Sequence, residues 1–116
     1  MDTQDYLQDQ LKICEKNSQI SDVVELNTVI ALGRNFNPNI QINGLRHPRT
    51  KGLTGWYIWS GEFSYADDFF QPSHAYHLLE DASFIIQYLG LPAGNRFLID
   101  SNGYEDIWYD ESLLDV

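Results

Sequence analysis

The chain has 116 residues, 43% of them hydrophobic and 14% aromatic, and a formal net charge of −10. That length suits one domain over residues 1–116, folding around a core that hides roughly 65–70% of the unfolded surface, and the apolar content excludes a disordered acidic tail. So negative a chain lacks the Lys and Arg that phosphate backbones and anionic lipids demand, which sets aside nucleic acid and membranes and favours a basic partner.

Thr3 to Lys16 are expected to form a helix. Tyr6, Leu7, Gln10, Leu11 and Cys14 fall on one stripe with Ile13 beside it, and Asp2 or Thr3 is placed to cap it. The start, Met1-Asp2-Thr3-Gln4-Asp5, lacks the basic and apolar regions of a signal peptide. No apolar run approaches the roughly 20 residues that span a bilayer, so a cytoplasmic location is expected. Cys14 is the only cysteine, which precludes an intrachain disulfide. Val23 to Leu32 is rich in β-branched residues and favours a strand, with a helix as the alternative. Gly33 to Gly55 is crowded with Asn, Gly and Pro and reads as a long loop, with room for a short strand at Ile40–Ile42. Four of the seven bases sit there: Arg34, Arg46, Arg49 and Lys51.

Trp56 to Trp59 is a strand candidate closed by Ser60-Gly61. Three residues apart on a strand, Trp56 and Trp59 point to opposite faces, one into the core and one under a loop or at an interface. Ser64 to Gln71 reads as a turn. Pro72 then suits the first turn of a helix in which His74, Leu78, Ala82, Ile85, Ile86 and Leu89 keep helical spacing, with Gly90 as its cap. Phe97-Leu98-Ile99 and Tyr104–Tyr109 are strands joined through Asp100-Ser101-Asn102-Gly103, whose Asn-Gly pair is hairpin chemistry. The fold class expected is α+β: a mostly antiparallel sheet, an N-terminal helix and a second helix near 72–90 packed on it, and a C-terminal β-hairpin.

Little in the chain suggests catalysis. His74 and His77 could share a helix face and, with an acid, bind zinc for a small hydrolase, but no HExxH or CxxC spacing accompanies them. Asp67-Asp68 and Glu105-Asp106 are adjacent acids, which on strands diverge and form no dyad. Cys14 has no local base to activate it, Ser60 lies outside a nucleophile elbow, and no phosphate loop is present. No catalytic residue, metal or cofactor is therefore expected. A small-molecule or peptide module with an aromatic cleft under the 33–55 loop is a further alternative.

The second half of the chain is the more informative. Fourteen of sixteen aromatics lie between Trp56 and Tyr109, and from Glu62 onward eleven acids face one base, Arg96. Aromatics give rigid contact area and carboxylates give steering, a combination suited to gripping a basic protein. The candidate contact residues are Trp59, Glu62, Asp67, Asp68, Tyr104, Glu105, Asp106, Trp108, Asp110 and Glu111.

The run Gly55-Trp56-Tyr57-Ile58-Trp59-Ser60-Gly61-Glu62 with Asp68-Phe69-Phe70, the segment Tyr88 to Asp100, and Tyr104-Glu105-Asp106-Ile107-Trp108-Tyr109-Asp110 resemble the immunity proteins of bacterial polymorphic-toxin systems, family thirty-three among them. The resemblance covers roughly Arg46 to Leu114. It implies a small cytoplasmic protein that binds and neutralises a cognate toxin, with no chemistry of its own. It does not specify the toxin, the contact residues or the oligomeric state.

Overall fold

The computed structural model describes residues 3–115. Helix α1 (Thr3–Lys16) opens the chain, and β1 (Val29–Gly33), β2 (Ile42–Arg46), β3 (Trp56–Ser60), β4 (Phe70–His74), β5 (Asn95–Ile99) and β6 (Glu105–Tyr109) follow. Between β4 and β5 lie a 3₁₀ turn (Ala75–His77), the short helix α2 (Leu78–Asp81) and a 3₁₀ segment (Ser83–Tyr88). Among the described residues the strands form one sheet in the order β4-β1-β3-β2-β5-β6. Only β1 and β3 run parallel. The α+β class and the C-terminal hairpin are as expected.

The helical elements cover one face of this sheet. Ile30, Ile42, Trp56, Ile58, Phe97 and Ile99 project from the strands into a core completed by Ile13 and Cys14 of α1 and by Leu78, Ile85, Ile86 and Leu89. On α1 the buried stripe runs through Gln10, Ile13 and Cys14, while Leu11 is turned to solvent. Asp2 and the side chain of Thr3, the expected caps, lie outside the described residues. Buried Gln10 donates through Nε2 to the Val24 carbonyl (2.9 Å) and accepts from the Val24 amide through Oε1 (2.7 Å). Those bonds take up the Val24 backbone, and a turn closed from the Thr28 amide to the Glu25 carbonyl (3.0 Å) follows, so the predicted strand over Val23–Leu32 begins only at Val29.

Two further expectations are corrected. The short strand allowed at Ile40–Ile42 within the 33–55 stretch lies instead at Ile42–Arg46, where β2 runs through the middle of the presumed loop, between β3 and β5. Its Asn43-Gly44 pair imitates a turn, yet Gly44 is there for a close approach: a Cβ would stand 2.3 Å from Phe97 Cζ. The second helix does not start at Pro72. That residue sits in β4 at the sheet's edge, where a missing N–H is tolerated. The helical stretch is also interrupted at Ala82, whose φ and ψ are −143° and 36°. Its apolar spacing nonetheless holds, with Leu78, Ala82, Ile85, Ile86 and Leu89 all buried. Gly90 is no left-handed cap, because its φ is not positive; its missing side chain instead makes room for Gln10, whose Cβ a Cβ there would meet at 2.8 Å.

Candidate functional site

Strand alternation leaves the second face of the sheet without a helical cover. Pairing register sets its side chains in rows across the strands. One row runs Pro72, Ala31, Tyr57, Leu45, Arg96, Trp108, and the other includes Trp59, Asn43, Leu98, Asp106.

Near β3 and β4 this face carries a network of edge-to-face rings. Tyr57 meets Phe70 at 5.1 Å between centroids, Trp59 meets Phe63 at 5.3 Å, and Phe69 meets Phe70 at 4.9 Å. Pairs of this kind contribute about 0.5–1.5 kcal/mol each beyond area burial. Phe63 and Phe69 belong to the loop between β3 and β4, which folds back over Trp59 and leaves it only 5% exposed. The two tryptophans therefore divide as the spacing predicts, Trp56 in the core and Trp59 under a loop. Tyr65, on the same loop, is 94% exposed, and its ring meets Phe63 at 4.9 Å between centroids. The loop's acids Glu62, Asp67 and Asp68 are all exposed, and Asp68 pairs with Arg34 at 3.0 Å.

The other margin of the face is β6. Trp108 lies on it beneath the Arg96 guanidinium, 5.7 Å from ring centroid to Cζ. Arg96 also reaches Asp110 at 3.2 Å. Asp110 accepts from the Ser112 hydroxyl (2.6 Å) and amide (3.1 Å), capping the 3₁₀ turn Glu111–Leu114. The bonds from Ser112, then that from Arg96, hold the Asp110 carboxyl below the usual aspartate range. Tyr104, at the hairpin's end, is about half exposed, and Glu111 is exposed beyond Asp110.

Ten residues were candidates, and the structure sorts them into three places. Tyr104, Asp106, Trp108, Asp110 and Glu111 gather along β6 and its flanks. Trp59, Glu62, Asp67 and Asp68 gather at the β3–β4 loop. Strands β2 and β5 lie between the groups. Glu105 belongs to neither, because alternation sends it to the helical side. There Tyr88 donates to its Oε2 at 2.6 Å and Lys16 Nζ lies 3.3 Å from Oε1. Burial, then the bond to Glu105, pushes the Tyr88 phenol well above the ordinary tyrosine range. The residues missed by sequence reasoning are those joining the groups: Tyr57, Leu45 and Leu98. Leu98 was legible as the outward residue between Phe97 and Ile99, whereas Leu45 was hidden inside the presumed loop.

A cleft of about 460 Å³ opens at one end of the face, lined by Val29, Ala31, Pro48, Leu53, Tyr57 and Pro72, among others. His47 stands at its wall with Nδ1 2.8 Å from the Leu113 carbonyl. His74 and His77 do not share a helix, one ending β4 and the other closing a 3₁₀ turn. Tyr76 contacts both rings, at 5.2 and 4.5 Å. Among the described residues no group of three or more His, Cys, Asp or Glu could hold a metal ion. Cys14 is 1% exposed, and burial pushes its thiol up, away from a reactive thiolate. No helix of the described residues is long and apolar enough to cross a membrane.

Comparison with curated proteins and with solved structures finds no match. A family model does match, over residues 9–110, and it describes the Imm33-like domain. The match begins within α1, so it takes in residues 9–45, which the sequence resemblance left out. With nearly the whole described fold inside it, and in keeping with that resemblance, the chain belongs to the Imm33-like domain family.

Proposed function

We propose that this protein is an immunity protein, one that binds and neutralises a cognate toxin without catalysing anything itself. The observation that supports this reading best is the open face of the sheet. Its floor spans three strands, with half-buried Tyr57, Leu45 and Leu98 interleaved with Asn43 and Arg96, between two margins that mix aromatics with carboxylates. Such a face supplies rigid apolar contact area with polar groups among it and a charged rim, a layout suited to protein–protein contact. The net charge of −10 favours a basic toxin, such as a nuclease that must itself hold phosphate. A cytoplasmic location follows from the same reading.

Co-expression with the product of the adjacent reading frame is the direct test. The expected result is a complex that survives purification and cells that tolerate the toxin only when this chain is present. A toxin that neither co-purifies nor is relieved would remove the reading. The apolar cleft favours a second reading, a small-ligand module. It predicts thermal stabilisation by an apolar ligand and loss of that stabilisation when Ala31→Trp fills the cleft.

A further inference from the structure

Two strands border the sheet, and their free edges are not alike. On β4, bonds from the Arg34 amide to the Phe69 carbonyl (2.8 Å) and from the Ala75 amide to the Thr28 carbonyl (2.9 Å) set the phase of the ladder with β1. Antiparallel ladders alternate bonded and non-bonded pairs. Gln71 and Ser73 therefore turn their backbone groups toward β1, and Phe70, Pro72 and His74 turn theirs outward. The central outward position is a proline, which has no N–H to offer an incoming strand.

On β6, the Asp110 amide donates to the Gly94 carbonyl (2.7 Å) and the Asp100 amide to the Tyr104 carbonyl (3.3 Å). The same alternation makes Asp106 and Trp108 bond inward to β5 and leaves the backbone groups of Glu105, Ile107 and Tyr109 pointing out. None of the three is proline, and no strand of the described residues pairs with them.

We propose that this free edge of β6 receives an extended, basic segment of the toxin as an added strand. The proposal rests on the immunity reading and says how the contact is made. Backbone hydrogen bonds would give affinity and the alternate side chains specificity. The choice of occupant comes from how each edge is guarded. Proline turns away every strand. Acids turn away only acidic strands, and β6 carries Asp106 with Glu111 just beyond, while Glu105 and Asp110 are paired with Lys16 and Arg96. A second copy of this chain, paired antiparallel about Ile107, would set Asp106 opposite Trp108 and leave its charge unanswered. A segment alternating Lys or Arg with apolar residues meets no such conflict. Its cations would lie beside Asp106 on the open face, and its apolar side chains beside Ile107 and Tyr109 on the other.

Amide hydrogen exchange, followed by NMR on the wild-type chain free and bound to the toxin domain of the adjacent reading frame, tests this. The amides of Glu105, Ile107 and Tyr109 should slow by at least about tenfold on binding, while those of Phe70 and His74 stay unchanged. Ile107→Pro removes one outward donor and no bond to β5, so it should weaken binding by about tenfold or more. If that variant fails to fold, the wild-type exchange still decides. A complex that leaves the three amides unprotected overturns strand addition and leaves the immunity reading standing. Absence of any complex overturns the immunity reading itself. Protection that rises with protein concentration and no toxin overturns the basic segment in favour of a second copy.

Discussion

Arg46 is a guanidinium with no exposed surface, an expensive group to bury. Four backbone carbonyls receive it: Thr54 through Nε at 3.0 Å, and Asp22, Leu89 and Leu91 through Nη1 at 2.8, 3.1 and 2.8 Å. Nη2 lies 3.2 Å from Asp22 Oδ2, an ion-pair contact off the hydrogen-bonding direction. Trp56 offers its ring face 5.5 Å away. Burial nevertheless draws the guanidinium down to about 10, with Asp22 opposing the shift. Replacing a buried ion pair by an apolar side chain is often neutral, but here the carbonyls decide. Each acceptor left dry costs about 1–3 kcal/mol. Arg46→Met should therefore be the more damaging variant and Arg46→Lys, which keeps three donors but not the fork, the milder one at about 3 kcal/mol. Urea unfolding of both measures it, and equal stabilities would sink the hydrogen-bond account.

At the scale of elements, β2 shows how packing overrides local pattern. Its sequence, Ile42-Asn43-Gly44-Leu45-Arg46, reads as a turn followed by a solvated base. In the fold Gly44 is the recess that admits the Phe97 ring from β5, and Arg46 is buried. Gly44→Ala should overpack this contact and destabilise by about 1–3 kcal/mol, and Phe97→Leu should recover part of that loss. Thermal unfolding of the single and double variants checks it, and strictly additive losses would count against the recess. Elements whose sequence signals are local were legible: the α1 stripe, and the hairpin through Asn102-Gly103, where Gly103 takes φ +95°. Elements defined by a distant partner were not. Pro72 fits a helix start as well as a sheet edge, and only its neighbour β1 decides. The candidate surface divides in the same way. Its margins stood out by composition, whereas its floor depends on a strand order that brings β2 and β5 between β3 and β6.

At the scale of the whole molecule the question is whether its charge acts as a total or as a face. The described fold measures 35 × 32 × 28 Å along its principal axes. Screening at physiological salt acts over about 8 Å, so charges on the helical side are largely invisible to a partner approaching the open face. Asp106 and Glu111 lie at the β6 margin, and Glu15 lies exposed on α1, in the helical layer. Reversing any one of them to Lys changes the net charge equally. If the toxin docks at the β6 margin, Asp106→Lys and Glu111→Lys should each slow association several-fold and flatten its dependence on salt. Glu15→Lys should change little at 150 mM salt and approach the others only near 10 mM, where screening extends to about 30 Å. Stopped-flow association rates across that salt range read this out. Equal slowing by all three variants at every salt concentration would mean that total charge alone steers the encounter. The acidic margin would then have no privileged part in it.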